Sequence, residues 1–215
     1  MLKGKRLRYL IGADGPFPGK DDEVTAVPYR NAPAKAGVSI GYCNLFDEDG
    51  TGRFGPYLPQ TDTAIQYREL VPDPKGPGFE KNLREQFARR KKQGFEYVEL
   101  DNPDAFEVKD ILRAIDLAET YSLRVIAKNA ALLDDPLLYL GRCHAVIIEK
   151  GAGAPGEMNR MRRDVGQPNM PCWFVSFGSG AMWAQQVKLA TMRADYRNMF
   201  VSFSRKGEYG SSDDV

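Results

Sequence analysis

Short runs of apolar, β-branched and aromatic residues recur along this chain, and from about residue 60 onward helical segments separate them. That alternation constrains the fold more than any other feature. A helix between two strands returns the chain to the same end of the sheet, so successive strands must pair in parallel. Eight runs are present: Arg8–Ala13, Val38–Asn44, Thr63–Leu70, Phe95–Leu100, Leu123–Lys128, Ala145–Glu149, Cys172–Phe177 and Met199–Phe203. Between the later ones, Phe79–Gln93 is rich in Glu, Lys and Arg around Leu83, Phe87 and Ala88. Ala105–Tyr121 spaces Phe106, Ile111, Leu112, Ile115 and Ala118 near a 3.6-residue period. Leu132–Leu140, Gly156–Val165 and Gly180–Tyr196 continue the pattern.

Eight strands with helical crossovers predict one compact (β/α)8 barrel over residues 1–215, with a loose tail over 204–215. The first third is irregular. Gly15–Gly37 shows only a broken helical pattern, interrupted by Pro28 and Pro33, and Leu45–Asp62 is a Gly/Pro-rich loop. An open doubly wound sheet is the alternative if the second or third run is not a barrel strand.

Charge narrows the function. Lys and Arg number 30 against 29 Asp and Glu, for a net charge of +1, so the basic excess of a nucleic-acid binder is absent. No stretch approaches the roughly 18 apolar residues of a membrane span, and the apolar run after the basic residues at Lys3–Arg8 is too short for a signal peptide. The chain is therefore expected to be soluble and to contact neither nucleic acid nor membrane. Three scattered cysteines, Cys43, Cys143 and Cys172, and one histidine, His144, supply neither a disulfide framework nor a metal ligand set. No dinucleotide or phosphate-loop glycine motif is present, so no cofactor is expected; Gly178–Gly180 is at most a weak phosphate cradle. Acid–base chemistry would fall to carboxylates or lysines.

In a parallel barrel the chemistry sits where the strands end. Here those positions are acidic: Asp14 after the first run, Asp47, Glu48 and Asp49 after the second, and Glu69 in the third. Glu99, Asp101, Asn102 and Asp104 close the fourth, Lys128 and Asn129 the fifth, and Glu149 and Lys150 the sixth. A period of two puts Tyr97, Glu99 and Asp101 on one strand face and Val98 and Leu100 on the other. The apolar set must pack against helices, so the polar set points inward. By the same parity Ala145, Ile147 and Glu149 share a face, and Asp101 and Glu149 can meet across the mouth. Two carboxylates flanking a cleft suit glycoside hydrolysis, where one protonates the departing oxygen and the other attacks or activates water, and their repulsion would raise one pKa. Capping or ion pairing at strand ends is the plain structural alternative. Lys128 or Lys150 could instead form a Schiff base in a lyase or aldolase, or simply orient the carboxylates.

The segment Gly94–Phe106, GFEYVELDNPDAF, resembles the strand and acidic loop of glycoside hydrolase family 114, the endo-α-1,4-polygalactosaminidase-like barrels. LRVIAKN at Leu123–Asn129 is similar to that family's strand ending in Lys-Asn, and HAVIIE at His144–Glu149 stands where its next acidic strand lies, with Ile148 in place of an asparagine. The resemblance implies a (β/α)8 barrel acting on an α-linked amino-sugar polymer, with Asp101 and Glu149 as catalytic carboxylates. It places Glu99, Asn102, Asp104, Lys128 and Asn129 around the substrate; Asp14 and Glu69 join the candidate substrate-binding set by their rim positions alone. It further suggests secretion. A cationic polymer would suit an acidic cleft, and Tyr42, Tyr67 and Trp173 are candidates for stacking on sugars. A catalytically silent carbohydrate-binding barrel is the remaining alternative. The oligomeric state is not legible.

Overall fold

The computed structural model describes residues 2–9, 19–27, 31–47, 50, 52–149, 152–177 and 181–204. Asp14, Glu48, Asp49, Lys150, Gly178–Gly180 and all but the first residue of the expected tail lie outside them.

Eight parallel strands stand in chain order: β1 (Arg6–Tyr9), β2 (Glu23–Val27), β3 (Val38–Asn44), β4 (Tyr97–Asp101), β5 (Arg124–Lys128), β6 (Val146–Glu149), β7 (Cys172–Phe177) and β8 (Met199–Ser204). The last strand returns beside the first, where the Ser202 hydroxyl donates to the Leu7 carbonyl oxygen (3.2 Å). The result is a nearly closed (β/α)8 barrel. Helices α1 (Asp62–Tyr67) and α2 (Pro77–Gln93) fill the β3–β4 crossover, and α3 (Val108–Thr120) follows β4. Then α4 (Pro136–Gly141), α5 (Pro155–Asp164) and α6 (Ala181–Thr191) follow β5, β6 and β7. None of the described helices is long and apolar enough to cross a membrane.

Two cores follow from strand parity. Inward-facing Leu7, Val24, Ile40, Tyr97, Ile126, Ile147, Trp173 and Val175 fill the barrel. Outward-facing Val98, Leu100, Val125, Ala127, Val146, Ile148 and Phe174 pack against Phe79, Leu83 and Phe87 of α2 and Ile111 and Ile115 of α3, whose spacing repeats every three or four residues. The α2 helix starts with Pro77 in its first turn and stops at Gly94, whose φ of 94° admits little but glycine.

Two strand assignments made from the sequence are corrected. Thr63–Leu70 is not a strand: Thr61 caps a helix there by accepting from Ala64 N, and only Ala64 of that helix is buried, while Ile65 and Tyr67 are exposed. Its apparent apolar run was a solvent-facing helix with too little hydrophobic surface to show a period. The missing strand is EVTAV at Glu23–Val27, inside the segment read as broken helix. It is short, and Glu23 and Thr25 hide its apolar character although every residue in it is buried.

Candidate active site

The end of β3 is held by a helix. Gln86 of α2 donates from Nε2 to Asn44 O (2.7 Å) and accepts from Asn44 N (2.9 Å), replacing strand hydrogen bonds where the ladder runs out. The side chain of Asn44 is thereby fixed: its Oδ1 accepts from Phe46 N (3.0 Å) and Asn102 Nδ2 (2.8 Å), and its Nδ2 donates to Glu69 Oε1 (3.1 Å). Next to β3, Asn44 pairs with Asp101 and Tyr42 with Glu99, so Tyr42 rises on the same inner face and donates to Asp101 Oδ2 (2.9 Å).

Both β4 and β5 are followed by an asparagine with left-handed backbone, Asn102 (φ 58°) and Asn129 (φ 48°), each opening a single 3-10 turn. Asparagine tolerates that conformation better than other residues with a Cβ. The turn brings Asn102 N to Asp101 Oδ1 (3.0 Å). On the other side, Asn129 Oδ1 accepts from Glu149 N (2.8 Å) and Asn129 Nδ2 donates to Glu149 Oε2 (3.3 Å).

Lys128 stands at the centre. Its main-chain N–H donates to Tyr139 OH (3.1 Å) and its side chain is 1% exposed. The ammonium lies 3.3 Å from Asp101 Oδ1, 3.2 Å from Glu149 Oε1 and 3.9 Å from Glu99 Oε1, and it donates to Tyr9 OH (2.7 Å). Tyr9 in turn donates to Glu99 Oε1 (2.8 Å). Burial works against the lysine's charge, but Asp101, Glu99, Tyr9 and Glu149 outweigh it and hold the pKa well above its ordinary value. Burial pushes Glu99 up to about 7, helped by Asp101 and Glu149 and opposed by Lys128 and Tyr9. Burial, with Glu99 next, also raises Tyr9, which keeps its phenol as a donor.

These groups floor a cleft of about 540 Å³ at the strand C-termini, which Tyr42, Tyr67, Glu69, Asn102, Asp104, Asn129 and Leu132 also line. The sequence-derived set Asp101, Glu149, Glu99, Lys128, Asn102, Asp104, Asn129 and Glu69 therefore meets in one place; Asp14 is outside the described residues. Glu69 arrives by a route other than the one expected, on the loop after α1 rather than on a strand. Trp173 is not a cleft residue: it is fully buried near the start of β7, and its Nε1 donates to Lys5 O (3.0 Å). His144 precedes β6, at the far end of the barrel, edge-on to Tyr97. Among the described residues no group of three His, Cys, Asp or Glu side chains is arranged to hold a metal ion.

Sequence reasoning missed Tyr9, Asn44 and Gln86. Tyr9 sat in a recognised strand, but its partnership with Lys128 spans 119 positions and depends on the barrel's closure. Gln86 carries no local sign that its amide faces a strand end.

No protein-family model matches the chain, and no curated protein matches it in sequence. Solved structures do match in fold. Ega3 of Aspergillus fumigatus, determined in complex with galactosamine, aligns over 95% of this chain and 91% of its own at a TM-score of 0.67 and 12% identity. The glycoside hydrolase domain of PelA from Pseudomonas aeruginosa aligns over 96% of this chain and 97% of its own, at a TM-score of 0.60 and 15% identity. A variant of that domain gives 0.61 and 14% over the same shares. The chain thus shares the fold of these structures, a (β/α)8 barrel, as the sequence resemblance implied.

Proposed function

We propose that the chain is a glycosidase that cleaves an α-linked amino-sugar polymer, with Asp101 and Glu149 as the working pair. The observation that carries this reading is the single ammonium of Lys128 held between the two carboxylates, 3.3 and 3.2 Å from each, at the floor of an open cleft. The side chains of Asp101 and Glu149 are 21% and 30% exposed, so a substrate can touch both, whereas Glu99 is sealed beneath them. Three donors, Tyr42 OH, Asn102 N and Lys128 Nζ, fix Asp101 and suit it to attack or to stabilise positive charge at the anomeric carbon. Glu149, more open and held among the described residues by Asn129 and Lys128 only, suits proton transfer to the leaving oxygen. Tyr67 and Leu132, both exposed and lining the cleft, offer apolar faces to sugar rings.

The alternative lysine chemistry is disfavoured at Lys128. Imine formation needs a free amine lone pair, and this amine is kept protonated by the carboxylates around it. A carbohydrate-binding barrel without catalysis is separated from the glycosidase by one experiment: reducing-end release from α-linked galactosamine oligomers and neutral α-glycans. Release by the native chain that falls at least about a thousandfold in folded Asp101→Asn and Glu149→Gln supports the glycosidase. Binding without release by the native chain overturns it.

A further inference from the structure

Four oxygen-bearing side chains surround the Lys128 ammonium, and one holds it differently from the rest. Tyr9 OH takes the shortest contact, a hydrogen bond of 2.7 Å. Asp101 Oδ1 and Glu149 Oε1 are reached as ion pairs at 3.3 and 3.2 Å, and Glu99 Oε1 stands off at 3.9 Å. The phenol has a single proton and gives it to Glu99 Oε1 (2.8 Å), which leaves its lone pairs facing the ammonium. Tyr9 and Glu99 are both buried. Tyr9 stands on β1 and Lys128 on β5, opposite each other in the eight-strand order, so their hydrogen bond spans the barrel. Attraction between charges has no preferred direction, whereas a hydrogen bond does. The phenol is therefore the neutral, directional contact that keeps the ammonium from closing on one carboxylate.

We propose that Tyr9, oriented by Glu99, is a positioning residue that holds the Lys128 ammonium midway between Asp101 and Glu149, so that one stationary cation serves both carboxylates in turn. The inference rests on the glycosidase reading. In the first half-reaction a bond forms between Asp101 and the anomeric carbon, the bond to the leaving oxygen breaks with its electron pair, and the proton of Glu149 passes to that oxygen. Negative charge has then left Asp101 and appeared on Glu149. In the second half-reaction water adds to the anomeric carbon and gives a proton to Glu149, and the electron pair of the sugar–Asp101 bond returns to Asp101. Coulomb attraction varies inversely with distance, so 3.3 and 3.2 Å leave the ammonium bound almost equally to either carboxylate. A cation seated on one of them would have to move between the two stages, whereas a central one is preorganised for both. Burial, with Glu99 next, raises the Tyr9 pKa, so the phenol stays protonated throughout.

The test is steady-state cleavage of an α-linked galactosamine oligomer by the native chain, Tyr9→Phe and Tyr9→Phe/Glu99→Gln, with crystal structures of all three. Both are obtained at about pH 7.5, above the value of about 7 to which burial raises Glu99. Phenylalanine keeps the ring and deletes the anchor. Glu99, no longer occupied by the phenol, should draw Nζ about 1 Å closer, from 3.9 Å toward the length of a charge-assisted hydrogen bond. In Tyr9→Phe, kcat and kcat/KM should fall together by about ten- to a hundredfold with KM within about twofold, as for an interaction made only in the transition states. Adding Glu99→Gln removes the competing charge, so Nζ should return toward the two carboxylates and kcat should recover about three- to tenfold. Simple damage to packing would instead deepen with the second substitution. A native-like kcat in Tyr9→Phe, a loss confined to KM, an unmoved Nζ, or a double variant slower than the single overturns the positioning role and leaves the glycosidase reading intact. No release by the native chain removes that reading, and the passing of charge between the carboxylates with it.

Discussion

Asn129 and Glu149 exchange two hydrogen bonds across adjacent strands: the main chain of Glu149 donates to the amide oxygen, and the amide nitrogen donates to the carboxylate. One side chain therefore sets both the height of the strand end and the orientation of the carboxylate. Because Asn129 has φ 48°, glycine can replace it without backbone strain while deleting both bonds. Asn129→Gly should lower kcat for glycan cleavage by about ten- to a hundredfold, since a misplaced catalytic group costs rate more than binding. Its stability should fall by only about 1 kcal/mol per lost bond. Steady-state kinetics with a denaturation curve checks this; unchanged kcat would detach Glu149 from the chemistry.

Lys128 should matter to folding as much as to function. Replacing it by methionine keeps the volume but leaves Glu99, Asp101 and Glu149 without their shared cation, a loss of about 3–5 kcal/mol for a broken buried ion pair. The lysine's folded pKa lies above its unfolded one, so its contribution is complete below about pH 10.4 and disappears only as pH rises through the folded value. In Lys128→Met the carboxylates relieve their repulsion by taking up protons, so the difference from the native chain should be smaller at pH 5 than at pH 8. Denaturant midpoints across that range measure it, and a constant difference would show that the cluster does not share the lysine's charge.

Glu99 slopes the same way as Lys128, but in a lower pH window. Its folded pKa of about 7 lies above that of a free glutamate, so the folded state holds a proton that the unfolded state has released. Stability should thus decline as pH rises from about 4.5 to 7, with at most about 3 kcal/mol traceable to this side chain. Glu69 slopes the same way through its own value of about 7. Glu99→Gln, which can still accept from Tyr9, should flatten the native profile in that window. A slope identical to the native one would mean that Glu99 is ionised throughout.

The parts of the site legible in the sequence were those set by strand parity. A period of two placed Glu99 and Asp101 on the inner face of β4, and the same rule placed Glu149 on that of β6. What parity leaves open is how far strands slide past one another. Lys128 pairs with Ile147, one inward position below Glu149, so the lysine lies between carboxylates at two heights. Tyr9 and Asn44 enter the site only through such cross-strand offsets. The misread Thr63–Leu70 segment failed for a related reason: Glu69 reaches the cleft because a short exposed helix turns the chain back toward Asp47, and neither half of that bridge has a local signature.

For the proposed glycosidase, the two distances to Lys128 set the expected stereochemical outcome. Asp101 Oδ1 and Glu149 Oε1 lie 3.3 and 3.2 Å from one nitrogen, so their separation cannot exceed the sum of the two and reaches it only if the nitrogen lies on the line between them. Hydrogen bonds leaving an ammonium diverge at roughly tetrahedral angles, which brings the oxygens to on the order of 5 Å. Inverting glycosidases need roughly 6.5–9.5 Å between their carboxyl groups to admit water behind the sugar, whereas retaining ones work at about 5–5.5 Å by direct attack. In the proposed reaction Asp101, the better held of the two, is the expected nucleophile, and Glu149 is the expected acid and then base. Cleavage of an α-linked oligomer should therefore release the α-anomer first. Proton NMR of the anomeric region during the first turnovers, before mutarotation, reads this directly, and a β-anomer appearing first would mean that a water, not Asp101, makes the attack.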